Sequence, residues 1–202
     1  MVENIKEIIA QESRRLFNER GYQDVSMREI AAACGISVGN LTYYYPRKED
    51  LLMLEHDGIM HTFLDEVMGE ADELGGLQGY FTLECAFIHY ILSDDAIGRL
   101  YRDVINIPSL RRRYCEAHYE LYCRFVEPEE PERARLATAA MAGLEFELAD
   151  EGYIMEDATA VLGDILNARL LFEGRDPAEY AALVQDSVER GVELSRRIMQ
   201  SS

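Results

Sequence analysis

The sequence predicts an all-α fold in which a small N-terminal three-helix domain, residues 1–47, precedes a larger helical domain, residues 48–202. Three observations lead to this prediction. Apolar residues recur at helical spacing along most of the chain, capping residues and Gly or Pro breaks separate these segments, and no run alternates β-branched residues as a strand does. Hydrophobic residues make up 48% of the 202 positions, which is enough for a substantial core.

The first two helices are delimited by their ends. A helix over residues 4–20 ends before Gly21, and its apolar face contains Ile5, Ile8, Ile9, Leu16 and Phe17. Ser26 and Glu29 have the spacing of a capping box, so a second helix begins there and ends near Gly35, where a positive φ is expected.

A third short helix and seven longer ones follow. Ser37 can cap a helix over residues 38–44, and Pro46 favours the start of the next one. Gly, Pro and Ser-Asp breaks, one of them at Gly152, delimit the others. Their predicted spans are 48–72, 77–92, 95–105, 108–126, 130–151, 155–173 and 177–199.

Charge is distributed unevenly along the chain, whose formal net charge is −18. Residues 1–50 hold seven Lys/Arg and eight Asp/Glu, whereas residues 51–202 hold thirteen and thirty. Because phosphate repels an acidic body, only the N-terminal segment can contact nucleic acid. The chain has no apolar run of about 20 residues, no signal-peptide pattern and no CxxC pair among its four cysteines, so we expect a cytoplasmic protein.

Residues 26–44 have the layout of a helix-turn-helix, with small Ala31 where the helices cross and Gly35 in the turn. The second helix of such a pair lies in the major groove. Asn40 then suits a bidentate contact with adenine, while Tyr43 can reach a phosphate through its hydroxyl. The predicted DNA-contacting residues are Ser26, Arg28, Ser37, Val38, Asn40, Thr42, Tyr43, Tyr44 and Lys48.

The run GYQDVSMREIAAACGISVGNLTYYYPRKEDLL resembles the DNA-binding domain of TetR-type transcriptional regulators. Thr42 stands where that family commonly has Tyr, and Tyr45 replaces its usual Phe. The resemblance implies a three-helix DNA-binding domain, a larger ligand domain and dimerisation through the last two helices. The residues that carry it are Gly21, Tyr22, Ser26, Ile30, Ala31, Gly35, Gly39, Leu41, Tyr44, Tyr45, Lys48, Glu49 and Leu51.

A ligand pocket is predicted between the middle helices, because tyrosines, Met and interior-spaced carboxylates suit an amphipathic pocket. Core packing is the alternative for each residue. If Glu84 or Glu145 is buried, it needs a partner, which is either a cationic ligand or an arginine at 99, 102, 111, 112 or 113. The candidates are Phe81, Glu84, Cys85, Ile88, His89, Tyr101, Tyr114, His118, Tyr122, Phe125, Met141 and Glu145.

Two Cys and His pairs, Cys85 with His89 and Cys115 with His118, have one-turn helical spacing. They form a metal site only if the two helices face each other, and buried Cys and His usually serve packing. We therefore expect no metal and no cofactor.

A homodimer through the last two helices is predicted from two stripes of apolar and small residues. The alternative is that both stripes bury the domain's own core. One stripe contains Ala158, Val161, Leu162, Ile165, Leu166 and Leu170, and the other Ala181, Val184, Val188, Val192 and Ser195.

These observations together predict a homodimeric, ligand-responsive transcriptional regulator, most simply a repressor that a small-molecule effector releases from its double-stranded DNA operator. The alternative is an all-helical protein-interaction module without DNA binding, which the near-neutral charge of residues 1–50 favours. The sequence contains no G-x-S-x-G, P-loop, dinucleotide or HExxH motif, so an enzyme is not expected.

Overall fold

The computed structural model describes residues 2–148 and 158–201, and within these ranges it contains helices and no strand. The predicted break at Gly152 and the adjoining ends of two predicted helices lie outside the described residues. The helices are α1 Val2–Arg20, α2 Met27–Ala33, α3 Val38–Tyr44, α4 Lys48–Leu74, α5 Gly76–Ser93, α6 Asp95–Asn106, α7 Pro108–Phe125, α8 Pro131–Leu148, α9 Ala158–Phe172 and α10 Ala181–Ser201.

The helix predictions that fall on described residues are confirmed to within a few residues, and the caps explain why. Ser26 and Glu29 form the complete capping box at the start of α2. Gly35 has a φ of +66° in the turn before α3, as the sequence predicts. One difference is that residues 177–180 form a 3-10 turn before α10 begins, because Pro177 follows an Asp176 side chain that caps the turn.

The chain divides into two compact units, Met1–His61 and Thr62–Ser202, so the division falls within α4. The predicted domain boundary after residue 47 lies inside the first unit and stays a prediction. Apolar side chains from α1 to α4 form the core of this unit. Its most buried members are Ile9, Val25, Ile30, Ala31, Leu41, Leu51 and Leu52.

Helix α5 is the centre of the second unit, and it is buried on nearly all sides from Gly79 to Ile91. It contacts α6, α7, α9 and, most extensively, α10. Gly191 makes the crossing with α10 possible, because a Cβ there would lie 2.6 Å from the Cβ of Cys85. The stripe Val184, Val188 and Val192 is buried within this unit, which is the alternative that the sequence left open.

None of the helices in the described part of the chain has the length and apolar character that a membrane span requires.

Candidate functional site

The helix-turn-helix is fixed by hydrogen bonds at the start of α2. The Ser26 hydroxyl donates to Glu29 Oε2 over 2.7 Å and accepts from the Glu29 amide, while Arg20 donates to Glu29 Oε1 over 2.7 Å. These bonds from Ser26 and Arg20 lower the pKa of Glu29 to about 2. The Ser26 hydroxyl therefore serves as a cap, and its predicted DNA contact stays a prediction.

Helix α3 turns Leu41 into the core, and this orientation leaves its opposite edge exposed. Ser37 caps the helix by accepting from the Asn40 amide over 3.1 Å. Ser37, Val38 and Asn40 are exposed in the first turn, and Tyr43 is the most exposed side chain of the helix, at 80%.

The flanking side chains on α3 are partly buried. Thr42 Oγ1 donates to the Gly39 carbonyl over 3.2 Å, so this hydroxyl is occupied within the helix. The ring of Tyr44 packs edge-on against that of Tyr43, with centroids 5.2 Å apart. The structure thus brings Ser37, Val38, Asn40 and Tyr43 onto one exposed surface, which we call the α3 edge.

Lys48 is held by the protein itself. Its Nζ donates to the carbonyl oxygens of Tyr22 and Val25 over 2.8 and 2.9 Å and lies 4.0 Å from the centroid of the Tyr22 ring. This ammonium ties the start of α4 to the loop before α2. Of the other predicted cations in this segment, Arg28 is exposed on α2. The phosphate contact of Lys48 stays a prediction.

In the second unit, two predicted carboxylates form a buried cluster. Glu145, with 1% of its surface exposed, accepts hydrogen bonds from the hydroxyls of Tyr101 and Tyr114 over 2.7 and 2.6 Å. Glu145 is also hydrogen-bonded to Glu84. Burial and the neighbouring charge of Glu84 raise the pKa of Glu145 to about 8, so the pair holds a proton at neutral pH.

The internal cation near this pair is Arg169, which the sequence analysis did not select. Its guanidinium is fully buried and donates to Glu173 Oε1 over 3.0 Å, to the Tyr80 hydroxyl over 3.2 Å and to Thr138 Oγ1 over 3.3 Å. It also lies 4.2 Å from the centroid of the Tyr122 ring.

The sequence offered five arginines as partners of Glu84 and Glu145. Four of the five, at 99, 111, 112 and 113, are exposed, and the one at 102 is half-buried. A signal existed in the sequence, because Arg169 interrupts an apolar run of α9 in the same way that Glu84 interrupts α5. Glu173 lies one helical turn further along, but Tyr80 and Thr138 come from α5 and α8, which spacing along α9 does not reveal.

The structure brings together only part of the predicted ligand set. Tyr101, Tyr114, His118, Glu84 and Glu145 cluster, with the rings of Tyr114 and His118 3.9 Å apart. The remaining members are in the core or at its margin; they are Phe81, Cys85, Ile88, His89, Tyr122, Phe125 and Met141.

Two of those members face α10 instead of the cluster. His89 Nδ1 lies 3.0 Å from Ser195 Oγ, and Cys85 packs against Gly191. Within the described ranges, no group of three or more His, Cys, Asp or Glu side chains is arranged to hold a metal ion.

Residues 9–53 match the family model for bacterial regulatory proteins of the tetR family. This match spans the helix-turn-helix and the Lys48 contacts described above. In residues 9–53 the chain is therefore similar to TetR-type regulators. One relative is the HTH-type transcriptional repressor KstR2 of Rhodococcus jostii (strain RHA1), 38% identical over 71 residues, which are 34% of this chain and 33% of the relative.

A second relative is the HTH-type negative transcriptional regulator IcaR of the biofilm operon icaADBC, from Staphylococcus epidermidis (strain ATCC 35984). It is 22% identical over 116 residues, which are 57% of this chain and 62% of the relative. The chain thus spans about a third of one of these relatives and about three fifths of the other. A solved structure of a transcriptional regulator (TerR/AcrR family) from Aquifex aeolicus VF5 matches with a TM-score of 0.49 and 18% identity, covering 83% of this chain and 98% of that one.

Proposed function

We propose that this chain is a homodimeric transcriptional repressor of the TetR type that binds operator DNA and is released by a small-molecule effector. The α3 edge carries the proposal, because it presents an amide, hydroxyls and a small apolar side chain at the N-terminal turns of the second helix. These groups suit base edges and phosphates. Both relatives, a transcriptional repressor and a negative transcriptional regulator, agree with this direction of control.

In this proposal α3 enters the major groove, and Asn40 reads adenine. Tyr43, exposed at 80%, donates its hydroxyl to a phosphate without adding charge to a nearly neutral segment. The acidic second unit is repelled by DNA, so the phosphate contacts come from the first unit.

The homodimer is proposed because two such helices must lie about 34–36 Å apart to read two half-sites. The described surface offers large exposed apolar side chains on α8 and α9, namely Leu136, Leu144, Leu171 and Phe172. The buried stripe of α10 supplies none of this surface, so the interface proposed here uses α8 with α9.

The effector acts by linkage. The dimer has a DNA-binding state and a state in which the α3 helices are misplaced for the two half-sites. A ligand that binds the second state more tightly weakens DNA binding by the ratio of its affinities for the two states. The buried carboxyl pair and its tyrosines, on α5 to α8, are the candidate element that a ligand would rearrange.

Fluorescence anisotropy with DNA from upstream of the protein's own gene, across a salt series, tests the proposal. We expect affinity to fall steeply with salt, with about 0.9 in log–log slope for each neutralised phosphate. Asn40→Ala should cost about 1–3 kcal/mol at one base pair of the site. Gln23→Ala removes an exposed amide from the same unit and is the matched control.

Two results would contradict the proposal. One is an absence of binding at every salt concentration, including on random-sequence DNA, with protein shown by mass spectrometry to carry no ligand. The other is equal loss of affinity in the Asn40 and Gln23 variants.

A further inference from the structure

A cavity of about 380 Å³ lies where α7, α8 and α9 meet the 3-10 turn of the second unit. We propose that this cavity binds a small organic cation, and that the cation pairs with Glu173 in place of Arg175. The proposal deepens the proposed function, since it gives the chemical class of an effector and a location other than the carboxyl pair.

Glu173 is the anchor of the proposed site. Its side chain is only 6% exposed, and it borders the cavity with one carboxylate oxygen committed to the interior. Oε1 accepts from Arg169 over 3.0 Å, while Oε2 accepts from the Tyr122 hydroxyl over 3.0 Å. A buried carboxylate with a polar atom at a cavity wall is what fixes a charged ligand in place.

Arg175 borders the same cavity and forms an ion pair with Glu173. Its Nε lies 3.4 Å from Glu173 Oε2, beyond the usual hydrogen-bond distance, and its side chain is 27% exposed. Its NH1 donates to the Tyr180 hydroxyl over 3.1 Å. A ligand cation that donates directly to Oε2 therefore displaces a long ion pair only, and Arg175 keeps its bond to Tyr180.

The charge and the rings of the wall select a cation. Five carboxylates border the cavity, Glu129, Glu130, Glu173, Asp176 and Glu179, against the guanidiniums of Arg133 and Arg175. Tyrosine rings also form part of the wall, and guanidiniums of this chain already lie against them, Arg169 at 4.2 Å from the Tyr122 centroid and Arg175 at 5.7 Å from that of Tyr180. Cations bind favourably over such rings.

Glu173 also links the cavity to the interior. Arg169 joins Glu173 to the Tyr80 hydroxyl, and its charge acts on Glu84 of the carboxyl pair. A ligand cation that lies closer to Glu173 than Arg175 does changes the electric field at that pair, so occupation of the cavity affects α5 and α8. This contact path gives the cavity a route to the centre of the second unit.

The test is isothermal titration calorimetry of the full-length protein without DNA, with agmatine as the probe, a guanidinium and an amine joined by four methylenes. Adipate, an anion of similar length, is the matched ligand control. We expect saturable binding of agmatine only. Glu173→Gln should weaken it by at least about tenfold, since it removes a charge-assisted contact, and Arg175→Gln should tighten it severalfold.

Glu189→Gln removes the same charge from an exposed position outside this cavity and should leave the affinity within about twofold. If Glu173→Gln does not fold by circular dichroism, the gain in Arg175→Gln decides the test. The site is overturned if agmatine does not bind to wild type or Arg175→Gln. Equal weakening by Glu189→Gln, or preference for adipate, overturns it as well.

Operator affinity, measured by anisotropy at saturating agmatine, tests the effector role. A decrease of at least about fivefold is expected, and unchanged affinity overturns that role. The two proposals fail separately, because cation binding is measured without DNA and DNA binding is measured without the cation.

Discussion

At the scale of single residues, one bound proton balances the charges of the ionisable group inside the second unit. One connected group contains the carboxyls of Glu84, Glu145 and Glu173. Its positive charges are the guanidiniums of Arg169 and Arg175. With Glu145 protonated, two carboxylates remain against two guanidiniums, so the charges of this group balance. Removal of that proton leaves an uncompensated negative charge, which a low-dielectric interior disfavours.

The pKa of Glu145 predicts a pH dependence of stability. The carboxyl titrates near 4.3 in the unfolded chain and at about 8 in the folded one, so the folded state binds more protons between these values. The free energy of unfolding should therefore fall as pH rises from about 4 to about 8. Urea denaturation at a series of pH values measures this slope.

Glu145→Gln should flatten that slope, because the amide stays neutral at every pH. Glu147→Gln on the same helix, at an exposed position, is the control and should leave the slope unchanged. A wild-type slope retained in Glu145→Gln would assign the titration to another group.

Substitution of Lys48 tests whether this lysine has a structural role or contacts phosphate. Lys48→Met removes two hydrogen bonds to carbonyls and the contact with the Tyr22 ring, so unfolding should become easier by about 1–3 kcal/mol. Arg47→Met, at an exposed neighbour, should change stability by less than about 0.5 kcal/mol. Thermal unfolding measures both. Full stability of Lys48→Met together with weaker DNA binding would assign the lysine to phosphate instead.

Arg169 shows where residue-level prediction ends. Its burial requires Tyr80 of α5 and Thr138 of α8 to converge on it, in addition to Glu173 one turn further along the chain. The need of Glu84 and Glu145 for internal partners was visible in the sequence, whereas the identity of the partner depends on how the helices are arranged.

At the scale of helices, boundaries were predictable because local chemistry sets them. Ser26, Ser37, Pro108 and Gly174 act within one turn of their own positions, through caps, a fixed φ or a positive φ. Which helix a stripe packs against is not local. The apolar spacing of α10 suits an interface and a core equally, and the structure places it against α5.

The crossing of α5 and α10 depends on Gly191. A Cβ at this position would lie 2.6 to 2.8 Å from Cys85, Thr82 and Ala86 atoms, two of them backbone atoms. Gly191→Ala should therefore destabilise the protein by about 1–3 kcal/mol, although alanine favours helices elsewhere. Gly69→Ala, in α4 with open space around it, should stabilise by up to about 1 kcal/mol. Equal effects in a thermal unfolding assay would contradict this view of the crossing.

At the scale of the whole molecule, charge substitutions distinguish a dimer interface through α8 and α9 from one through α9 and α10. Leu136→Glu places a charge at a 60% exposed leucine of α8, and it should convert the dimer to monomers in light-scattering measurements. Operator affinity should fall with it, since two half-sites must be bound together. Gln185→Glu adds the same charge on α10 and should leave the mass unchanged. The reverse pattern would favour an interface through α9 and α10.

The Lys48 contacts determine where an N-terminal fragment of the protein can be cut. A recombinant fragment that ends at residue 47 lacks the Lys48 ammonium that donates to the Tyr22 and Val25 carbonyls. It also lacks Leu51 and Leu52 of the core. A segment that continues along α4 to His61 keeps all of these groups. Chimeras that exchange the proposed DNA-binding segment between regulators of this type should therefore be joined beyond His61, so that the transplanted segment keeps the contacts that stabilise it.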